Sequence, residues 1–557
     1  MSRRRINLRL LSATGFFFIV LLLLFGRAFE LQVVNGEEYR TRAASQHVRT
    51  VEIAPRRGVI YDRNGAELAV SKRMATVYAT PYLVEDAADA AAKLAPVLGL
   101  SVEEVKSSLS RRSGFSYVAR KVDVEVGKQV AELGIRGVGV YPEEKRVYPR
   151  GALAPQVLGY VGTDNVGLAG VEQHYDSVLA GEGGRRDEVR DPFGKSLEVL
   201  FNQEGLEGGS LVLTLDEDMQ NAVEQVLVDV VEDFQAKRAT ALVLQPKSGE
   251  VLAMANVPLF DTNDFGQADA ETRRNATVTD QFEPGSTFKT IIVAAALEEG
   301  LVTPDTTLEL GPSIEVADRT IHEAHDAPAV RNLTVTEILA ESSNVGAVML
   351  GQRVGKERLI EMIRRFGFVA PLGIDYPGEA AGMMLEEDKW SGSTIGNVPI
   401  GHGVSVTPLQ LATAYATIAN GGVQMPPHLL RQEQPAEGRR VIATEVADQL
   451  RRMLEVAVTD GTGAAARVDG YVVAGKTGTA QKVSEDSPGY AEGSYISSFV
   501  GMVPAEDPQL VILVVVDDPT TEYYGSVVAA PAFSKIADFA LKHLEIAPFS
   551  ASEADRG

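Results

Sequence analysis

Seventeen consecutive uncharged residues, Leu10 to Gly26 (LLSATGFFFIVLLLLFG), follow a short stretch carrying Arg3, Arg4, Arg5 and Arg9 and no acid. At 1.5 Å per residue the run extends about 25 Å, near the lower limit for crossing a hydrocarbon core, and flanking residues lengthen it. Phe25-Gly26-Arg27-Ala28-Phe29-Glu30 offers no small-x-small cleavage site, so an uncleaved anchor over 10–29 is expected rather than a signal peptide. The arginine flank predicts a cytoplasmic tail at 1–9 and an extracytoplasmic body, a single-pass topology in the cell membrane.

Beyond the anchor the pattern turns polar. Residues 30–50 read as a helical stalk, and RRGVIYDRNGAELAVS (56–71) reads as a hairpin around Asn64-Gly65. Helical patterns alternate with short linkers over 82–135, and 147–184 is rich in glycine and turn signals. A second unit is expected to start near Gly208-Gly209-Ser210. It opens with LVLTL (211–215), a helix begun by Asp216, and a β pattern at 239–257 that turns at Pro246–Gly249. Strand signals return at YVVAG (471–475), SSFVGMV (497–503) and LVILVVVDD (510–518), with helical patterns filling 286–460. Strands at both ends of a helical interval predict an α+β fold: an antiparallel sheet of sequence-distant strands packed on helices. The expected partition is a pedestal at 30–207, a second domain at 208–548 and a disordered tail at 549–557.

Composition narrows the function. In 557 residues, 53 Lys+Arg against 76 Asp+Glu leave a net charge of −23, which argues against a general nucleic-acid binder. The absence of cysteine removes disulfides, thiolate metal sites and cysteine nucleophiles together.

Three segments carry chemistry. In FEPGSTFKTIIVAAALEEG (282–300), Ser286 stands at a helix start and Lys289 lies three residues on, on the same face. A serine hydroxyl needs a neighbouring base, and a lysine serves when desolvation lowers its pKa. In TVTEILAESSNVGAVMLG, Thr334 and Glu337 form a capping box, and Ser342-Ser343-Asn344 breaks the apolar pattern. There a hydroxyl can pass a proton and an amide can hold a substrate amide. In VVAGKTGTAQK (472–482), Lys476, Thr477 and Thr479 on an edge strand suit an extended peptide ending in a carboxylate. Gly470 to Thr477 also matches the phosphate-loop pattern, but its intervening residues read as strand and no amphipathic helix follows. No Gly-x-Ser-x-Gly occurs, and His322-Glu323-Ala324-His325 is one residue short of a zincin motif, leaving its histidines on the surface.

Ser286-x-x-Lys289, Ser342-x-Asn344 and Lys476-Thr477-Gly478, in this order, resemble the signature set of the penicillin-binding and serine β-lactamase superfamily. The anchor, the 56–71 hairpin, GLAGVEQHYDSVLAGEGG and VPIGHGVSVTPLQLATAYATIANGG extend the likeness to class B penicillin-binding proteins. YISSFVGMVPAEDPQLVILVVVDDP with YYGSVVAAPAFSKI is most similar to their division-specific branch. The resemblance implies a septal D,D-transpeptidase needing no cofactor or metal. Ser286 would attack the D-Ala-D-Ala carbonyl, with Lys289 as base and Ser342 as proton shuttle. Asn344 would hold the donor peptide amide, Lys476 and Thr477 would bind its terminal carboxylate with Thr479 adding its hydroxyl, and Ser343 and Gly478 would complete the substrate-binding set. Backbone N–H groups of Ser286 and Thr479 would form the oxyanion hole. The implied partners are stem peptides (a D-Ala-D-Ala donor and an amine acceptor), β-lactams as inhibitors, a membrane-embedded septal glycan polymerase and other division proteins. An elongation-branch transpeptidase, a D,D-carboxypeptidase, a β-lactamase and a non-enzymatic division scaffold are the competing readings. His402 stands where the family often has Gln.

Overall fold

Arg3–Phe29 forms one helix, and Leu10–Val34 has the length and the mean hydropathy, 2.1, needed to cross a membrane, with none of it buried. The computed structural model describes residues 3–35, 48–53, 55–190, 196–203, 205–324, 330–434, 436–484 and 489–548. Most of the expected polar stalk lies outside them. Its last residues are not helical: Val48–Ile53 is a strand paired antiparallel with Gly184–Arg190, which pairs in turn with Ser196–Gln203. The alternating, β-branched VRTVEI finds a partner far along the chain, and strand pairing replaces helix there.

The chain divides into two units. The first comprises Met1–Arg57, Ser71–Lys145 and Ala180–Gly208. Two of its helices begin at strong caps: Asp86 accepts from Ala88 N and Asp89 N, and Ser101 with Glu104 closes a capping box. Ala91, Leu94, Val105, Leu109 and Val130 bury against Val77, Ala79 and Val118. Val118 belongs to Ser116–Val122, a strand inside the interval expected to be helical; it pairs with the long strand Glu67–Ala79.

The second unit comprises Gly58–Val70, Arg146–Leu179 and Gly209–Gly557. The expected hairpin is here, Ile60–Tyr61 pairing with the start of Glu67–Ala79. Asp62 Oδ1 accepts from Asn64 N and Ala66 N, and Gly65 holds φ +92°. The centre is a five-stranded antiparallel sheet. Val251–Val257 and Arg238–Leu244 come from early in the unit, followed across the sheet by Leu510–Asp517, Tyr490–Val503 and, at the edge, Ala474–Val483. Both faces are covered. Val511, Leu513 and Val515 join the core shared with the helical cluster, while Ile512, Val514 and Val516 join the core under Glu217–Phe234 and Gly525–His543. That double burial explains the unbroken apolar run of LVILVVVD in an antiparallel strand.

Some expectations need correction. Among the described residues the interval 286–460 also holds four small two-stranded ladders, at 307–310 with 331–334, 313–316 with 319–322, 383–384 with 404–405, and 423–424 with 439–440. LVLTL is a strand only at Leu211–Val212, and the edge strand starts at Ala474 rather than Tyr471. Regular pairing there begins where Ala474 meets Met502.

Candidate active site

Lys289–Glu298 is buried on every side, so packing on all faces rather than amphipathy fixes this helix. A single 3-10 turn, Gly285–Phe288, leads into it, and there Ser286 alone is partly exposed while Gly285, Thr287 and Phe288 are buried. The turn is braced from three sides. Thr287 Oγ1 donates to Pro284 O at 2.7 Å, and Tyr415 Oη donates to Thr287 O at 2.9 Å. Gly285 holds φ +55°, and a Cβ there would lie 2.9 Å from Thr479 O. Only glycine lets the edge strand come this close. Among the described residues, Ser286 Oγ has no hydrogen-bond partner, which leaves the hydroxyl available to an incoming group.

One turn deeper, Lys289 Nζ meets Ser342 O at 2.5 Å, Asn344 Oδ1 at 2.7 Å and Ser342 Oγ at 3.2 Å. Burial, and secondarily the Lys476 ammonium, hold its pKa far below the ordinary lysine range, against a weaker opposing pull from Glu323. A neutral amine has two N–H donors and one lone pair. The two shorter contacts take the donors, and Ser342 Oγ–H can then donate to the lone pair. The lysine and Ser342 hydroxyl therefore form a path along which a proton can move.

Ser342 sits at φ +61°, and the helix Asn344–Val354 starts directly after it with Ser343 as its cap. Ser343 Oγ accepts from Gly346 N at 2.9 Å and donates to Glu323 Oε1 at 2.6 Å, so its hydroxyl is occupied within the loop. Asn344 N donates to Glu323 Oε2 at 2.7 Å, and Asn344 Nδ2 donates to His322 O at 2.9 Å. Sequence reasoning missed Glu323. Its side chain is 5% exposed, and Arg331 Nη2 donates to it at 3.0 Å. His322 is exposed, and His325 lies outside the described residues.

The edge strand supplies the third wall. Lys476 is fully buried, and desolvation lowers its pKa to about 7. Among the described residues its Nζ has one hydrogen bond, to Thr477 O at 3.4 Å. Thr477 Oγ1 pairs with Thr462 Oγ1 at 2.8 Å, a second partner the sequence did not reveal. A Cβ at Gly478 would lie 2.9 Å from Thr287 Cγ2 and 3.1 Å from Pro284 O, so glycine lets the strand lie on the nucleophile turn. Thr479 Oγ1 accepts from Gly525 N at 3.0 Å, at the start of the C-terminal helix, which leaves its own proton free to donate elsewhere. Thus Ser286, Lys289, Ser342, Asn344 and the 476–479 strand converge, with Ser343 turned into the supporting frame. Of the phosphate-loop match at 470–477, residues 471–473 precede the strand, contrary to the expectation, and Lys476 and Thr477 lie inside the edge strand rather than at a helix start, where a phosphate loop would put them. Among the described residues, no group of three or more His, Cys, Asp or Glu could hold a metal.

Known families and solved structures share this architecture. The penicillin binding protein transpeptidase domain matches residues 239–538, and the penicillin-binding protein dimerisation domain matches 52–213. The chain is 35% identical to the probable peptidoglycan D,D-transpeptidase PbpC of Pseudomonas aeruginosa, over 98% of this chain and 97% of that one. It is 32% identical to the peptidoglycan D,D-transpeptidase FtsI of Escherichia coli K12, over 99% and 94%. Among solved structures, it is similar to penicillin binding protein 3 of Mycobacterium tuberculosis complexed with aztreonam, with a TM-score of 0.71, 32% identity, and coverage of 90% of this chain and 98% of that one.

Proposed function

As this chain belongs to the class B penicillin-binding proteins and is a peptidoglycan D,D-transpeptidase, we propose that Ser286 is its nucleophile and that it acts at the division septum. One observation carries the residue assignment: Lys289 Nζ is tied to Ser342 and Asn344 one helical turn from a Ser286 hydroxyl that no described residue engages.

Neutral Lys289 takes the Ser286 proton as Oγ attacks the penultimate D-Ala carbonyl. Ser342, in contact with that nitrogen, passes the proton to the departing D-Ala amine. Asn344 holds the donor amide. Lys476, Thr477 and Thr479 receive the terminal carboxylate, while Gly478 lets the strand lie close. Backbone N–H groups of Ser286 and Thr479 stabilise the oxyanion. Ser343 holds this frame rather than the peptide. The acyl-enzyme is then resolved by an amine of a second stem peptide. A β-lactam, carrying a carboxylate beside a strained amide, enters as the donor does and stays on Ser286.

The same reading places residues 1–9 in the cytoplasm, the anchor in the cell membrane, and both the pedestal at 30–207 and the transpeptidase domain at 208–548 outside it. A membrane-embedded glycan polymerase of the septum supplies the strands to be joined, with other division proteins as further partners.

Labelled penicillin added to the full-length chain in detergent, followed by digestion, tests the assignment. The adduct is expected on the peptide containing Ser286 and is expected to vanish in Ser286→Ala. An adduct that survives that substitution overturns it. Turnover of the adduct within seconds identifies a β-lactamase instead, and a fluorescent fusion on the lateral wall identifies an elongation enzyme. Complementation of a division defect by Ser286→Ala identifies a scaffold.

A further inference from the structure

The loop Gly401-His402-Gly403 takes no part in the chemistry above, yet it lies against the nucleophile turn. A Cβ at Gly401 would sit 2.2 Å from Gly285 O, so the two backbones are in contact beside Ser286. Gly403 N donates to Glu283 Oε1 at 2.7 Å, and His402 N donates to Asn397 O at 3.1 Å, which fixes the loop at both ends. The His402 ring lies 5.3 Å from the Tyr490 ring at a 41° tilt, and Tyr490 Oη donates to Glu283 Oε2 at 3.0 Å. A carboxylate, an imidazole and a phenol therefore cluster beside the nucleophile turn. Among the described residues, three titratable groups act on or lie against the imidazole: the Glu283 carboxylate, the Lys289 amine and the Tyr490 phenol. Burial is the largest influence on His402 and favours the neutral ring. Lys289 acts in the same direction and Glu283 opposes it. Burial and the Glu283 charge hold the phenol in its neutral form.

We propose that His402 is a further catalytic residue, the base that takes a proton from the acceptor ammonium before it attacks the acyl-enzyme. The inference rests on the transpeptidase reading and deepens it. A stem-peptide amine is an ammonium ion at neutral pH and has no lone pair. Lys289 and Ser342 carry the Ser286 proton out to the departing D-Ala and can carry one acceptor proton back to Ser286; the acceptor ammonium has one proton more to lose. His402 takes that proton, leaving a neutral amine. The amine nitrogen bonds to the acyl carbon and the bond from that carbon to Ser286 Oγ breaks. The amine's second proton returns to Ser286 Oγ through Lys289, and the imidazolium releases its proton to solvent. Glu283, held by Gly403 and Tyr490, stabilises the imidazolium meanwhile.

The test separates the two half-reactions in the full-length chain. Labelled penicillin reports acylation, and a D-Ala-terminated thioester donor with added amines reports aminolysis across pH. In His402→Gln, acylation by penicillin is expected to stay within about twofold of the natural chain. Aminolysis by a D-amino acid at pH 7 is expected to fall about tenfold or more and to recover as pH rises toward the pKa of that amine. With hydroxylamine, which is uncharged at pH 7, no loss is expected. Tyr490→Phe frees one Glu283 oxygen and is expected to give a smaller loss with the same dependence on acceptor charge. An equal fall with both acceptors, or a parallel fall in acylation, assigns the loop a structural role and overturns the proposal. Undiminished aminolysis by the charged amine also overturns it. Failure of the natural chain to acylate at all sinks the transpeptidase reading itself.

Discussion

The carboxylate of Glu323 accepts the hydroxyl of Ser343 at 2.6 Å, and its second oxygen accepts the backbone N–H of the next residue at 2.7 Å. One side chain from the hairpin strand Arg319–His322 and the turn after it thereby sets the loop that presents Ser342 and Asn344 to Lys289. Glu323→Gln keeps the shape but turns an NH2 group toward either the Asn344 N–H or the Ser343 hydroxyl and Arg331, so at least one of three donors is left unmatched. Such a loss costs about 1–3 kcal/mol. The expected outcome is a lower melting temperature together with penicillin acylation at least tenfold slower. The exposed Glu341→Gln, which loses only an Arg331 contact, is expected to change stability by less than about 0.5 kcal/mol. Thermal melting and second-order acylation rates on both variants decide the matter.

The two buried lysines set a pH dependence with a definite sign. On the proposed roles acylation requires Lys289 neutral and Lys476 charged, and the Lys476 ammonium itself helps to keep Lys289 neutral. The rate rises with pH as Lys289 loses its proton and falls above about 7 as Lys476 loses its own. In Lys476→Arg the guanidinium stays charged, so the falling limb is expected to disappear even though the absolute rate is lower. Stability follows a separate rule. The unfolded chain keeps the Lys476 proton up to about 10.4, whereas the folded one gives it up near 7. Between those values the unfolded state binds more protons, so stability contributed by this site rises with pH and is lowest below about 7. Lys476→Met is therefore expected to melt a few degrees higher than the natural chain at neutral pH while losing acylation. Scanning calorimetry and acylation kinetics across pH check both outcomes.

Close approach of the edge strand to the nucleophile turn gives a third expectation. A methyl group at Gly478 would lie 2.4 Å from Ser498 Oγ and 2.9 Å from Thr287 Cγ2, touching the neighbouring strand on one side and the Ser286 turn on the other. The strand must then move away from the turn. Overpacking of this kind costs about 1–3 kcal/mol. Gly478→Ala is expected to melt lower and to acylate at least tenfold more slowly, because the carboxylate-binding residues shift relative to Ser286. An acylation rate equal to that of the natural chain would show that strand and turn separate freely.

The parts of the site legible in the sequence are those defined over short spacings. Ser286 and Lys289 share a helical face, Thr334 and Glu337 cap a helix, and Lys476 to Thr479 lie on one strand. Each follows from periodicity or local capping. Glu323 was not legible, because its role arises only when a four-residue hairpin strand folds over a loop 20 residues on. Residues 48–50 read as stalk for the same reason: the strand Val48–Ile53 to which they belong pairs with Gly184–Arg190, more than a hundred residues away. The short ladders within 286–460 have two to four residues per strand, too few for a period of two to stand out against the surrounding helices. Tyr471 to Val473 have strand propensity but precede the paired segment, so register with Tyr490–Val503, not composition, sets the strand's start.

Thr479 joins the edge strand to the C-terminal helix, and that link gives its hydroxyl a direction. Gly525 N, an unpaired donor in the first turn of Gly525–His543, donates to Thr479 Oγ1 at 3.0 Å. An oxygen that accepts on this side has its own proton available for another acceptor, which under the transpeptidase reading is the terminal carboxylate of the donor peptide. Thr479→Val removes both functions at nearly constant volume, and Thr479→Ser restores both. The valine variant is expected to lose about 1 kcal/mol of stability from the unpaired Gly525 N–H. It is also expected to acylate at least tenfold more slowly with a D-Ala-terminated thioester, since a hydrogen bond to a charged group is stronger than one between neutral groups. The two losses separate when the substrate's carboxylate is replaced by a primary amide. The stability loss persists, while the rate difference between valine and natural chains shrinks severalfold. Equal rate losses on acid and amide substrates would mean that Thr479 acts only through the helix it caps.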